Sequence, residues 1–368
     1  MIYLDNGATS LHKPAQVSLA VGRALACCAN PGRGGYKASM DASREVYHCR
    51  EIAGKLFHCQ PEQVVFTSNC THGLNIALQT LVKPGSRVVI SGFEHNAVTR
   101  PLHALQAEVT VAGRKLFDWG DTLESFEKAL RAGADAAVFT HVSNVFGYIL
   151  PIEELSKLCR NYGVPFVIDG AQGAGSCRID MEKLGADFIA MPGHKGLLGP
   201  QGTGLLLCGQ TPKPLLYGGT GTNSLQQQMP DALPERCEAG TLNVPGIAGL
   251  AAGMAYVLHR DPDIIGKKEA YEGKCCADGL RKLGFRVFSG DHQSGTVSFV
   301  PEMDCQEAAE ILGKLGIAVR GGFHCAPLAH ESAGTLETGT VRVSYGHDAS
   351  GEQTEIFLRA AAKLRCRN

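Results

Sequence analysis

The sequence predicts an α/β fold: a large doubly wound, mainly parallel sheet domain followed by a smaller α+β domain. Three observations carry this. Short apolar runs suited to strands alternate with longer stretches in helical spacing. Two of the runs, Val167-Ile168-Asp169 and Asp187 to Met191, are apolar until they stop at polar residues, as in parallel strands covered on both faces. Beyond about residue 247 the alternation gives way to a long helical stretch and short paired strands. At 368 residues the chain exceeds one typical domain. The large domain is placed at 14–247 and the small one at 248–368, with 1–13 packing near the latter.

In chain order, residues 1 to about 35 read as irregular. Turn signals stand at Asn6-Gly7 and from Asn30 to Gly35, with a helix between them from Ala15 to Ala29. Asp41 to Phe57 has helical spacing through Val46, Ile52, Ala53 and Leu56. Gln63 to Thr67 is a strand, and Ser68 to Gly73 turns into a helix with Leu74, Ala77, Leu78 and Leu81 on one face. Further strands are expected at Arg87–Ser91, Val109–Ala112 and Ala136–His141, then the two central ones, then Thr203–Cys208. That makes seven, separated by helices such as Leu123–Arg131 and Ile152–Tyr162. The second part predicts one helical stretch from about Ile247 to Leu283, then strands at Phe285–Ser289 and Thr296–Val300. A helix at Cys305–Leu315, strands at Ile317–Arg320 and Thr340–Ser344, and a last helix at Gln353–Leu364 follow.

Bulk properties exclude several classes. Basic and acidic residues nearly cancel, 35 against 36, which argues against nucleic acid or an anionic membrane as the main partner. No apolar run reaches the ~18 residues of a membrane span. The chain opens directly into Ile2-Tyr3-Leu4 without a signal-peptide pattern, so a soluble cytoplasmic protein is expected. None of the fourteen cysteines forms a C-x-x-C pair, so neither a metal site nor a disulfide framework is expected. Reduced thiols, most of them small core or surface residues, are the expected state.

The chemistry concentrates at two strand ends. Asp169 and Gln172 lie just past one, and His194 and Lys195 just past the next, with Asp169 and Lys195 26 residues apart. Open α/β sheets bind ligands outside the carboxyl ends of their strands. An acid and a lysine in one such crevice match the needs of pyridoxal phosphate. The lysine condenses with its aldehyde, and the acid keeps the pyridine nitrogen protonated so that the ring serves as an electron sink. The strand–turn–helix at Ser68 to Gly73 supplies free N–H groups and a helix dipole, a cup for the phosphate at Cys70 and Thr71.

Asp169-Gly170-Ala171-Gln172 and the run from Gly193-His194-Lys195-Gly196 to Gly202-Thr203-Gly204 resemble the cofactor core of the class V aminotransferase fold. Within it they resemble the cysteine desulfurase and selenocysteine lyase branch, and the likeness runs from Tyr3-Leu4-Asp5-Asn6 to Arg342-Val343-Ser344. The resemblance implies a pyridoxal-phosphate-dependent fold type I enzyme. It implies that Asn6-Gly7-Ala8-Thr9 is the substrate-proximal turn, with Ala8 beside the substrate; relatives usually carry Ala at the position of Gly7. It implies that His95 stacks on the pyridine ring and takes part in catalysis. Asn144 would reach the cofactor or the substrate carboxylate, and Gln172 and His194 would hold the cofactor. Thr241 would reach the phosphate of a neighbouring copy in a homodimer with shared sites. Arg342 would anchor the α-carboxylate, an arginine being able to grip it with two parallel hydrogen bonds. Its neighbours Val341 and Val343 are expected to face the core while Arg342 faces away. One departure is Pro192, where many relatives hold a hydroxyl that touches the phosphate and proline has nothing to donate.

Arg320-Gly321-Gly322-Phe323-His324-Cys325-Ala326-Pro327 is a second chemical element. Positive charge from Arg320 and His324 would favour the Cys325 thiolate. The resemblance is to desulfurases with a short loop here, and the surrounding glycines and proline predict some mobility. The expected function is a desulfurase that converts L-cysteine to L-alanine, with a persulfide formed on Cys325 and passed to an acceptor protein. The alternatives are a selenocysteine lyase, an aminotransferase of the same fold, and a sulfur-carrier scaffold without covalent cofactor.

Overall fold

The computed structural model of the protein describes residues 1–32 and 34–365. Arg33, within the turn expected at 30–35, and Cys366 lie outside the described residues.

The chain opens with β1 (Ile2–Tyr3), α1 (Ala15–Cys27) and α2 (Lys37–Phe57). It then runs β2 (Val64–Thr67), α3 (Cys70–Leu81), β3 (Arg87–Ser91), α4 (Asn96–Ala104), β4 (Glu108–Ala112), α5 (Trp119–Arg131) and β5 (Ala136–Thr140). Next come α6 (Ile152–Asn161), β6 (Phe166–Asp169), α7 (Met181–Leu184), β7 (Phe188–Pro192) and β8 (Gly204–Cys208). These strands form the expected seven-stranded sheet, in the order β2-β8-β7-β6-β5-β3-β4. Only β8 runs antiparallel to its neighbours. The carboxyl ends of β2, β3, β5, β6 and β7 therefore open on one edge, and every candidate residue of the first 200 positions lies there or on the segment before α1.

Strands β5 to β8 are buried throughout, which is why they read as continuous apolar runs. Edge strand β4 exposes Glu108, Val109 and Thr110. One face of the sheet is covered by a core that includes Phe126, Phe139, Phe166, Ile189 and Leu207. The other is covered by Leu74, Ile76, Val98 and their neighbours.

The second part contains α8 (Val244–Arg260), α9 (Pro262–Lys282), β9 (Arg286–Phe288), β10 (Thr296–Val300) and α10 (Cys305–Lys314). It ends with β11 (Ile317–Ala318), β12 (Arg320–Gly322), α11 (Pro327–Ala333), β13 (Thr340–Ser344) and α12 (Gly351–Ala362). Two expectations are corrected here. The single helix expected from 247 to 283 is two, because the residue before a proline is pushed out of the helical region. Asp261 has φ +67°, and its carboxylate caps the new helix at the Asp263 N–H, 3.0 Å. The first of the two, α8, buries Ile247, Leu250, Met254 and Val257 in the core of the large sheet. The single strand expected at 317–320 also splits. β11 pairs in parallel with β1, whereas β12 joins the four-stranded sheet β12-β13-β10-β9. Its core draws Leu4 from the N-terminus to Val297, Phe299, Val341 and Phe357.

Beyond β1 the N-terminal segment is stitched to the end of β13. Ser344 N–H donates to Leu4 O at 2.7 Å, and Gly7 N–H donates to Ser344 Oγ at 2.8 Å. Among the described residues no helix is long and apolar enough to cross a membrane, and all thirteen described cysteines are free.

Candidate active site

Lys195 leaves the end of β7 on a turn that only glycine permits at its base. A Cβ on Gly193 would stand 2.1 Å from Thr203 Oγ1. The turn is closed by Gly193 N–H to Thr203 O at 2.8 Å and Leu198 N–H to Lys195 O at 2.9 Å. No hydrogen bond engages the Lys195 amine among the described residues. Burial lowers its pKa, opposed chiefly by the charge of Asp169.

Asp169 ends β6 and is 2% exposed. Its Oδ1 accepts the Ala171 N–H at 2.9 Å and the Cys70 thiol at 3.4 Å, which leaves Oδ2 uncommitted. Cys70 thus faces Asp169, and burial drives its thiol well up. Its neighbour Thr71 is exposed on the first turn of α3, where Asn69 caps the His72 N–H at 2.9 Å. His95 caps α4: its Nδ1 accepts the Ala97 N–H at 3.0 Å, which assigns the proton of the neutral ring to Nε2. Burial lowers the His95 pKa, and the charges of Asp169 and Lys195 reach it. Lys195, Asp169, His95 and Cys70 therefore share one crevice.

The segment before α1 closes one wall. Gln172 Nε2 donates to Gly7 O at 2.9 Å, and the half-buried Ala8 follows in a turn closed onto Asp5 O at 3.0 Å. The His194 ring meets Thr9 Oγ1 at 3.0 Å through Nδ1, and its carbonyl accepts from Ser10 N–H at 3.0 Å. Burial, with Lys195 and Lys13 near, lowers His194 to about 4.

Asn144 and Arg342 come from opposite sheets and meet. Arg342 Nη1 donates to Asn144 O at 3.0 Å, and Nη2 donates to Asp5 Oδ1 at 2.6 Å. Asn144 Nδ2 donates to His324 O at 2.7 Å. Asn144 is 9% and Arg342 2% exposed, yet Asn144 Oδ1 and Arg342 Nε have no partner. Two unmatched buried groups at one place are a site in waiting, because such groups are otherwise paired. Arg342 faces away from Val341 and Val343, which join the core of the smaller sheet, as the strand period predicts. All five residues of β13 are buried, and the guanidinium is charge-paired rather than solvated.

Cys325 is exposed on the short loop between β12 and α11. The loop is tied on both sides: Asn96 N–H donates to Cys325 O at 2.8 Å, and Asn144 holds the His324 carbonyl. His324 and Cys325 both adopt positive φ, +50° and +56°. Such successive left-handed residues persist only where their surroundings fix them. His324 does not supply the expected positive charge. It is 8% exposed, burial and Arg342 push it to about 2, and the ring is neutral. Arg320 is spoken for in part, its Nε lying 3.3 Å from Asp5 Oδ2.

Thr241 is not brought to Lys195 within one chain. It is exposed and lines a groove of about 590 Å³ with Thr71 and Thr203. The segment before it is pinned by a buried ion pair, Arg50 Nη2 to Glu238 Oε2 at 2.6 Å, while Glu238 Oε1 accepts the Phe66 N–H at 2.7 Å.

Sequence reasoning missed Asp5, Glu94 and the Arg50–Glu238 pair. Glu94, the residue before His95, is fully buried. Its Oε1 accepts from Ser91 Oγ and, at 2.8 Å, from Thr140 N–H, while Oε2 has no partner and burial raises it to about 8. An acidic residue in the short turn after an apolar strand was the available signal. Among the described residues no cluster of His, Cys, Asp and Glu is placed to hold a metal ion.

The geometry agrees with what known proteins show. The aminotransferase class-V family model matches residues 2–357. A probable cysteine desulfurase of Pyrococcus abyssi is 34% identical over 384 aligned positions, covering 99% of this chain and 94% of that protein. One from Methanothermobacter thermautotrophicus is 31% identical, covering 89% of this chain and 86% of its own length. The apo structure of a cysteine desulfurase from Thermococcus onnurineus NA1 superposes with a TM-score of 0.90 at 33% identity, covering 99% of this chain and 94% of that one. The chain belongs to the aminotransferase class-V family, on its cysteine desulfurase branch.

Proposed function

We propose that the protein is a pyridoxal-phosphate-dependent cysteine desulfurase that converts L-cysteine to L-alanine and keeps the sulfur as a persulfide on Cys325. The observation that carries this reading is the joining of two parts. The Asn144 side chain, rising from the sheet that presents Lys195 and Asp169, holds the backbone of the Cys325 loop.

Family members depend on pyridoxal phosphate, and the residues present fit it. The Lys195 amine is unbonded, Asp169 keeps one oxygen uncommitted in a buried place, and the first turn of α3 offers free N–H groups. Lys195, Asp169, His95 and Gln172 would hold the ring, and Thr71, His194 and a partner's Thr241 the phosphate. When bound, the group supplies a ring that takes up the electron pair left as Cα loses its proton.

This chain's residues do the rest. Asp169 holds the proton on the ring nitrogen. Lys195, its basicity lowered by burial, carries a proton from Cα. Arg342 Nε and Asn144 take the substrate carboxylate and orient it. The Cys325 thiolate attacks the substrate sulfur. A sulfur–sulfur bond forms, the carbon–sulfur bond breaks with its electron pair on Cβ, Cβ takes up a proton, and Lys195 returns a proton to Cα to give alanine. Cys325 stands at the surface, where a sulfur-acceptor protein can reach the persulfide.

The reading includes a homodimer. Leu19, Leu25, Tyr36 and Tyr47 around α1 and α2, and Leu216 and Tyr217 near Thr241, are exposed. Apolar surface of this extent supports burial against a second copy.

The test is alanine release by cofactor-loaded protein from L-cysteine and from L-selenocysteine, beside Cys325→Ala. Loss of the cysteine reaction in the variant is the expected result. Turnover of selenocysteine alone, surviving the substitution, would make the protein a selenocysteine lyase. Alanine from neither would overturn both.

A further inference from the structure

Arg320 and Arg342 are direct cross-strand partners on the antiparallel pair β12–β13. Like charges facing each other there repel, and one carboxylate lies between them. Asp5 receives Arg342 Nη2 on Oδ1 at 2.6 Å and Arg320 Nε on Oδ2 at 3.3 Å. Its backbone bridges to Ser344 just beyond β1. Gly7, two residues on, lies against the Arg342 guanidinium; a Cβ there would stand 3.1 Å from Cζ. The groups in direct contact with these three bring no further charge, since Asn144 is neutral and burial keeps the His324 ring neutral; the Lys195 amine, which both guanidiniums reach, is the group that would be taken up by the cofactor. Two guanidiniums and one carboxylate leave one positive charge, and the α-carboxylate of an amino acid cancels it. Arg342 is buried, whereas Arg320 is half exposed and leads into the Cys325 loop. The substituent on the substrate Cβ must lie toward that loop.

Resting on the reading of Arg342 as the carboxylate anchor, we propose that Asp5 is a specificity-determining residue. By occupying Arg320 and holding Arg342, it sets this three-residue cluster to one net positive charge. The site thereby selects amino acids with an uncharged β-substituent over those whose β-substituent is an anion, such as a sulfonate, sulfinate or carboxylate.

The test is binding to the cofactor-loaded protein, followed through the cofactor absorbance, of L-alanine and of L-cysteate, which carries a sulfonate on Cβ. Asp5→Asn is nearly isosteric and raises the site charge by one. It is expected to shift the ratio of the two dissociation constants toward L-cysteate by about tenfold or more. Arg320→Gln lowers the charge by one while keeping the Asp5 carboxylate and its pairing to Arg342, and shifts the ratio the other way. The double variant Asp5→Asn/Arg320→Gln regains the original charge and is expected to regain the original preference. A ratio unmoved in Asp5→Asn or in Arg320→Gln, or a double variant no nearer the parent than Asp5→Asn, would overturn the proposal. Arg342→Met separates the two readings. If it leaves L-alanine binding unchanged, the anchor reading fails; if it weakens binding while Asp5→Asn leaves the ratio fixed, only the role of Asp5 fails.

Discussion

The crevice around Lys195 and the loop around Cys325 are built in opposite ways. Lys195, Asp169 and His95 each follow directly from the end of a strand in one rigid sheet, and short turns fix them. The Cys325 loop owes its position to contacts from far along the chain: Asn96 and Asn144 from the large sheet, and Arg342 and Asp5 beneath it. The first arrangement needs little beyond local backbone. The second stands only when both sheets and the N-terminal segment are in place. The Cys325 thiol is positioned by long-range polar contacts, while Lys195, Asp169 and His95 are positioned by topology.

Breaking the crevice should abolish chemistry without disturbing the fold. Lys195→Ala is expected to lower alanine formation from L-cysteine by at least about 10²–10⁴-fold, with the denaturant midpoint near that of the parent. Breaking the long-range assembly should cost both. Arg342→Met leaves Asp5 without its closest partner, and removing one member of a buried pair costs about 3–5 kcal/mol. Urea unfolding measures that loss, and a raised KM for L-cysteine accompanies it.

Glu94 sharpens the comparison through pH. Its folded value of about 8 lies above the ordinary 4.5. The folded state keeps this proton where the unfolded chain has released it, so stability falls as pH rises from about 4.5 to about 8. Glu94→Gln is expected to remove one proton from that slope, about 1.4 kcal/mol per pH unit. Glu269, also raised to about 8 by burial, keeps its own. Unfolding curves across that range measure the slope. The smallest effect is expected from Gly7→Ala. The added methyl forces the Arg342 guanidinium to yield by a few tenths of an ångström, at about 0.5–1.5 kcal/mol. KM for L-cysteine should rise a few-fold while kcat holds.

The same contrast governs what was legible in the sequence. The seven strands of the large sheet, and Asp169 and Lys195 at their ends, follow from apolar runs that stop at polar residues. Such runs report burial and direction, which are local properties. His324 was misread because proximity in sequence to Cys325 says nothing of burial, and burial is what keeps its ring neutral. Arg342 was placed on the face opposite Val341 and Val343 by the two-residue period of a strand, and it lies there. The period holds, but it does not reveal that a second layer, here the N-terminal segment carrying Asp5, covers that face. Asp5 itself carried no signal, since a carboxylate near a chain terminus is usually solvated. Its partners stand more than 300 residues away. The break at Asp261-Pro262 was readable from the proline and was overridden by the apolar spacing on either side.

The central claim is that the Lys195 crevice delivers a substrate sulfur to Cys325. It is tested most directly by exposing cofactor-loaded protein to one equivalent of L-cysteine and weighing its peptides. One added sulfur on the Cys325 peptide, formed together with one equivalent of alanine and absent in Lys195→Ala, is the expected result. Alanine released with no sulfur on Cys325, or with the sulfur on another cysteine, would contradict it.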